Sequence, residues 1–265
     1  MNGHSLIDWQ YIVQGAAFIA PYVKVTLLLT LSSVFLGAAL GLVSCLAQRS
    51  RVPVLGKFFR LYVYICRSIP NMVLLYLVYY GMPLAFLALR GKTGIHVPIE
   101  HVPAMAVAII GLTLHTGAYL SEIFRAALDS VPEGQFEAAE AMGMTSFQMY
   151  RRVIFPQAVV FALPLFANQF LSTMKSTSIV FVITVIEVFG AAKLFCEDNS
   201  QYFEAYIVRL SSTGAWASCL NPCLRNSRTG FPRIRGARYD KTRTREEVLW
   251  QSGHPAGHQP DCADG

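Results

Sequence analysis

Six polar side chains stand inside or beside long apolar runs: Arg67, His115, Asn168, Gln169, Lys175 and Glu187. A charge held in hydrocarbon costs roughly 2.5–3.5 kcal/mol even on insertion scales, so such groups face a bundle interior or a solute pathway. Arg67 lies near the end of its run, where it can snorkel to the surface. His115, Asn168, Gln169, Lys175 and Glu187 are read as candidates for a pathway, although a satisfied buried histidine explains His115 as well. None of the chemistry points to catalysis: no Ser/His/Asp grouping and no paired carboxylates occur. Gly91-Lys92-Thr93 has the ending of a phosphate-binding loop, but Phe86 stands where the first glycine is required. ATP hydrolysis is therefore expected on another chain, and this one is not read as an enzyme. His254, His258 and Cys262 have ligand-like spacing. They fall in a Gly/Pro-rich tail where such spacing arises by accident, so no metal or cofactor is expected.

The elements that must position these residues are membrane helices. Of 265 residues, 54% are hydrophobic and 14% charged, against about a quarter charged in soluble domains. The mean hydropathy is +0.42. The formal net charge of +6 belongs mostly to the tail: residues 1–208 hold 13 Lys and Arg against 11 Asp and Glu. No nucleic-acid partner is implied. Cys45, Cys66 and Cys196 sit in or beside apolar runs, where cysteine behaves as a small hydrophobe. Residues 1–21 lack a basic leader and a cleavage site, so the first apolar span is expected to remain.

Apolar spans are expected at about 23–47, 61–82, 102–123 and 153–174, each near the roughly 20 residues a crossing needs. Gly37 and Gly41 make a small-xxx-small pair suited to close helix packing. A basic turn, Arg49, Arg51, Lys57 and Arg60, separates the first two spans. Pro156 and Pro164 interrupt the fourth, and a broken helix there would expose Asn168 and Gln169. A shorter run at 176–192 carries Glu187. The excess of Lys and Arg belongs on the cytoplasmic side, which puts 49–60 and 125–152 inside and residues 1–20 outside, with membrane lipid as a partner of the spans.

Residues 121–157, lying between spans three and four, form a charged, helix-forming elbow. Ser130 precedes Glu133 by three residues, with Pro132 in the first turn; Thr145 precedes Gln148 in the same way. These are two capping boxes in tandem. Gly143 falls between them, where a helix can end with φ > 0. Two short helices with a tight bend are expected, with Phe136, Ala139 and Met142 near one face. Ala138 and Ala139 keep the surface low enough for another backbone to approach.

Glu137-Ala138-Ala139, then Gly143, then Val153-Ile154-Phe155-Pro156 resembles the EAA loop of ABC-importer permeases. Val153 and Phe155 replace the Ile and Leu of the usual pattern. The flanking GAYLSEIFRAALDSVPEGQFEAAEAMGM and RRVIFPQA are similar to the polar amino-acid uptake branch. Arg67 and Pro70 match an FRGTP-type stretch in which Cys66, Ser68 and Ile69 depart, and Ser176 stands where Asp is common. The resemblance implies an all-α membrane protein of the type-I ABC-importer permease kind, with about four or five transmembrane helices and a cytoplasmic coupling helix. It further implies a bacterial inner-membrane location and ATPase coupling through Glu137, Ala138, Ala139, Gly143 and Pro156. The implied partners are a cytoplasmic ABC ATPase, a second permease subunit, identical or homologous, and an extracytoplasmic amino-acid-binding protein. Cystine or a related derivative is among the substrates it suggests.

The resemblance covers about 20–208, giving an external segment 1–20, a permease domain 21–208 and an atypical basic tail 209–265. Arg209, Asn221 and Pro222 interrupt the window in which the family has its last helix. The tail reads as an altered frame or a divergent variant. An ion-coupled secondary transporter and a structural membrane subunit are the rival readings. The first would need its own ion sites; the second would show no substrate-dependent stimulation of an ATPase.

Overall fold

A computed structural model describes residues 9–50, 52–93, 102–199, 206–210 and 214. Its helices are α1 (Trp9–Ile19), α2 (Val23–Arg49), α3 (Pro53–Ser68), α4 (Asn71–Thr93), α5 (Ala104–Asp129), α6 (Glu133–Ala141), α7 (Ser146–Met149), α8 (Phe155–Ser176) and α9 (Val188–Asn199). The described residues contain no strand. Four stretches are long and apolar enough to cross a membrane: Trp9–Arg49, Asn71–Ala88, Ala104–Asp129 and Ser146–Ile183.

The centre is the pairing of α2 with α5, and glycine decides how close it is. A Cβ on Gly41 would lie 2.9 Å from the Ser121 backbone nitrogen and 3.0 Å from the Gly117 carbonyl oxygen. One on Gly37 would lie 3.1 Å from the Thr116 side chain. With no side chain at either position the two backbones come into direct contact, as the small-xxx-small spacing predicts. The helices run in the same direction, and the Arg49 guanidinium meets Asp129 at 2.8 Å where both end. Around them Leu29, Leu75, Ala108, Leu112, Val180 and Ile183 form a shared core. Thr116 and Thr173 join α5 to α8 by a 3.1 Å hydroxyl contact, the kind of interhelical polar bond apolar surroundings favour.

Three expectations about the spans are corrected. The second span does not run unbroken over 61–82. Ile69 is extended (φ −89°, ψ 135°) and separates α3 from α4, because the ring of Pro70 excludes the residue before it from the α region. The stretch with crossing character is Asn71–Ala88. The basic segment 49–60 is not a turn throughout, since α3 begins at Pro53 and contains Lys57 and Arg60. Finally, α8 continues through Pro164 to Ser176, so no break exposes Asn168 and Gln169. The break comes later, in a 3₁₀ stretch Thr177–Ile183 ended by Thr184 at φ 67°.

The N-terminal residues described are also helical. Packing of α1 against α9 uses the Tyr11 and Phe195 rings, 4.5 Å apart, and the Tyr11 hydroxyl donates to the Phe195 carbonyl at 2.9 Å. Residues 206–210 form a helical turn on the same side of the bundle. Val208 is buried against Ile19, Val188 and Ala192. Arg209 lies 4.7 Å over the Phe189 ring and donates to the Ser178 hydroxyl. Most of the basic tail lies outside the described residues. Cys45, Cys66 and Cys196 are buried, the Cys196 thiol donates to the Ala192 carbonyl at 3.0 Å, and burial pushes the Cys66 thiol up.

Candidate functional site

The elbow is assembled from local signals, one bond at a time. Its entry differs from expectation. Ser130 donates its hydroxyl to the Ala127 carbonyl at 2.7 Å, closing the end of α5. It makes no box with Glu133; α6 starts behind Pro132, whose side chain offers no cap. The proline fixes φ at the N-terminus where no amide hydrogen is needed, so the hydroxyl is left to serve the preceding helix.

The far end of α6 follows the prediction in detail. Gly143 takes φ 71°. Its amide donates to the Glu140 carbonyl at 2.8 Å, and the Met144 amide reaches back to Ala139 at 3.1 Å. These are the paired bonds of a Schellman motif. Thr145 then opens the next helix with both bonds of a capping box: the Gln148 amide to the Thr145 hydroxyl at 3.4 Å, and the Thr145 amide to the Gln148 side chain at 3.1 Å. Met144 lies between the two motifs and packs on the cluster that holds Ala139 and Met149. It acts as the apolar contact of the first motif and the staple of the second.

The second helix of the elbow leads directly into the membrane. A π-turn over Tyr150–Ile154, in which the Phe155 amide donates to the Tyr150 carbonyl, joins α7 to α8. Pro156 in the first turn of α8 explains it: without an amide hydrogen it cannot continue the α ladder, and the wider turn absorbs the residue left over. Across the elbow, the Gln157 side chain donates to that of Gln135 at 3.1 Å. Phe136 meets Tyr150 edge-on at 6.2 Å.

Burial assigns different jobs to the predicted residues. Ala139 is buried among Ala127, Val131, Met149, Ile154 and Ala158, so it anchors α6 to the bundle. Met142 does not share that face; it is 75% exposed. Glu137 sits in the middle of α6, not at its start, and is exposed beside exposed Ala138 and Glu140. Phe147 at 72% exposure completes an acidic and apolar outer surface. Phe147 was missed in the sequence because its neighbour Met149, two residues away, carries the apolar contact of that short helix.

The five pathway candidates are not brought together. Gln169 is buried and bonds to Thr173. The His115 ring lies 4.8 Å from that of Tyr119 at a 48° tilt, and its Nδ1 is buried without a hydrogen-bond partner among the described residues. Asn168 and Lys175 are exposed. Glu187 is buried, and its carboxylate accepts from the Phe189 amide at 2.7 Å, the Gly190 amide at 3.2 Å and the Thr26 hydroxyl at 3.1 Å. It caps the start of α9, where a carboxylate is favoured. None of the five lines the cavity of about 380 Å³ beside the elbow end of α5, bounded by Gln48, Arg60, Tyr64, Arg67, Tyr119 and Glu122.

Comparison with known proteins gives this geometry its context. Residues 33–213 match the family described as binding-protein-dependent transport system inner membrane component. The chain belongs to that family. It is thus a multi-pass inner-membrane permease component, and the matched span takes in the whole elbow. The probable amino-acid permease protein YxeN of Bacillus subtilis is 38% identical over 201 residues, covering 76% of this chain and 85% of that protein. HisQ of Salmonella typhimurium, a histidine/lysine/arginine/ornithine transport system permease protein, is 38% identical over 69% of this chain and 76% of its own. A chain in the crystal structure of an amino acid ABC transporter with histidines superposes with a TM-score of 0.72 at 27% identity, over 84% of this chain and 98% of that one. The fold is accordingly the type-I ABC-importer permease bundle.

Proposed function

We propose that the permease carries polar amino acids into the cell, driven by ATP hydrolysis on a separate cytoplasmic subunit seated on the elbow. The carrying observation is the division of labour within α6. Ala139 locks the helix to α5 and α8, while Glu137, Ala138 and Glu140 on the same helix, and Met142 just past its end, stay open to a partner. A rigid lever with one face bound and one face free transmits displacement and performs no covalent chemistry. Closure of the ATPase subunits would move the elbow, and α5 and α8, which enter and leave it, would switch the pathway from inward- to outward-facing. A second permease chain, identical or homologous, completes the pathway, and an external binding protein delivers the solute. The names of the relatives support an amino-acid substrate; HisQ favours a polar one, and cystine belongs to the same trial set.

Purification of the tagged permease from its native membrane, followed by reconstitution with the binding protein, tests this. An ATPase should co-purify, and ATP should drive accumulation of labelled histidine, arginine or cystine. Accumulation driven by an ion gradient without ATP would favour a secondary transporter. A co-purifying ATPase that no solute stimulates would favour a structural subunit.

A further inference from the structure

A line of alternating charge joins the elbow to the break in α3/α4. Asp129, at the last turn of α5, pairs with Arg49 at 2.8 Å and with Arg125 at 3.5 Å. Arg125 pairs with Glu122 at 2.5 Å, and Glu122 with Arg67 at 3.6 Å. Arg67 also lies 5.3 Å over the Tyr119 ring. Glu122, Arg125 and Asp129 share one face of α5 at spacings of three and four. The two arginines at the ends of the line close α2 and α3. Arg67 is two residues before Ile69, the extended residue that separates α3 from α4. Glu122 is the least exposed charged member, its side chain at 22% against 39–46% for the others. It also forms one wall of the cavity into which Arg60 and Arg67 face.

Half-exposed ion pairs contribute little to stability, so the line is poorly explained as a brace. What it does provide is a mechanical link. A displacement of α6 that shifts α5, on which Asp129 and Glu122 both sit, would change the separation of Glu122 from Arg67 and with it the angle at which α3 meets α4. We propose that Glu122 is a positioning residue for transport, passing elbow motion to the α3/α4 break through Arg67. This rests on the coupling reading of the elbow given above.

The test uses the complete transporter in proteoliposomes and measures solute carried per ATP hydrolysed, normalised to assembled complex. Glu122→Gln and Arg67→Gln should each lower that ratio about tenfold with the amount of assembled complex held. The double variant should be no worse than the worse single one, because residues acting as one pair are non-additive. Arg67→Lys, which keeps the charge, should recover most of the ratio. Gly143→Pro serves as the separate control on the elbow. If Gly143→Pro uncouples transport while Glu122→Gln and Arg67→Gln do not, the elbow reading stands and the link is wrong. If Gly143→Pro leaves the ratio unchanged, the elbow reading fails first. Additive losses in the double variant, or losses that track reduced assembly alone, would also overturn the link.

Discussion

Gly143 and Thr184 share nearly the same backbone angle, φ 71° and φ 67°, yet only one announced itself. A glycine between two capping signals marks a left-handed turn. A β-branched residue in that region costs about 1–3 kcal/mol and gives no warning in the sequence, so the prolines suggest a break ahead of the real one at Thr177–Thr184. Ser130 misled for a related reason. Its spacing to Glu133 fits a capping box, but the hydroxyl has a nearer acceptor in the Ala127 carbonyl. Two substitutions test this scale. Gly143→Pro cannot adopt φ 71° and loses the amide bond to Glu140, so uptake should fall below a tenth of wild type with membrane levels retained. Normal uptake at normal levels would remove the bend from the mechanism. Gly41→Leu must push α2 from α5, since even a Cβ meets backbone there; overpacking of this kind costs about 1–3 kcal/mol. A lowered thermal midpoint of the detergent-purified protein is the expected reading.

At the scale of elements, the sequence conveyed helices and their caps far better than their breaks. Spans three and four, the Gly37/Gly41 seam and the elbow's bend are all legible from periodicity and punctuation. Pro70 excludes Ile69 from the α region, a local effect that apolar content does not display, so α3 and α4 read as one span. The π-turn ahead of Pro156 was equally hidden, because apolar spacing cannot distinguish a five-residue turn from a four-residue one at a helix start. That turn leads to a prediction. Pro156→Ala restores the amide hydrogen and lets Tyr150–Ile154 relax into the α ladder, rotating the elbow relative to α8 by about one residue, ~100°. Uptake should drop at least fivefold while α8 keeps its packing, measured as transport at matched membrane abundance. Unchanged uptake would show that the register set by Pro156 does not matter to coupling.

For the whole molecule, the pairing of Arg49 with Asp129 places the ends of α2 and α5 at the same end of the bundle as the elbow. From the distribution of Lys and Arg we expect that end on the cytoplasmic side. In intact cells, on a background lacking the native cysteines, an impermeant thiol reagent should label a cysteine at position 10 and spare one at position 146. The reverse pattern would invert the topology. The central claim, that the outer face of α6 is where an ATPase sits, is reached most directly by cross-linking. Ala138 is exposed and Ala139, one residue on, is buried at 3%. Single cysteines at these two positions, treated with a short bifunctional thiol reagent in native membranes, should give an adduct to the ATPase subunit from Ala138→Cys and none from Ala139→Cys. An ATPase that co-purifies with the permease but cross-links from neither Ala138→Cys nor Met142→Cys would contradict the claim.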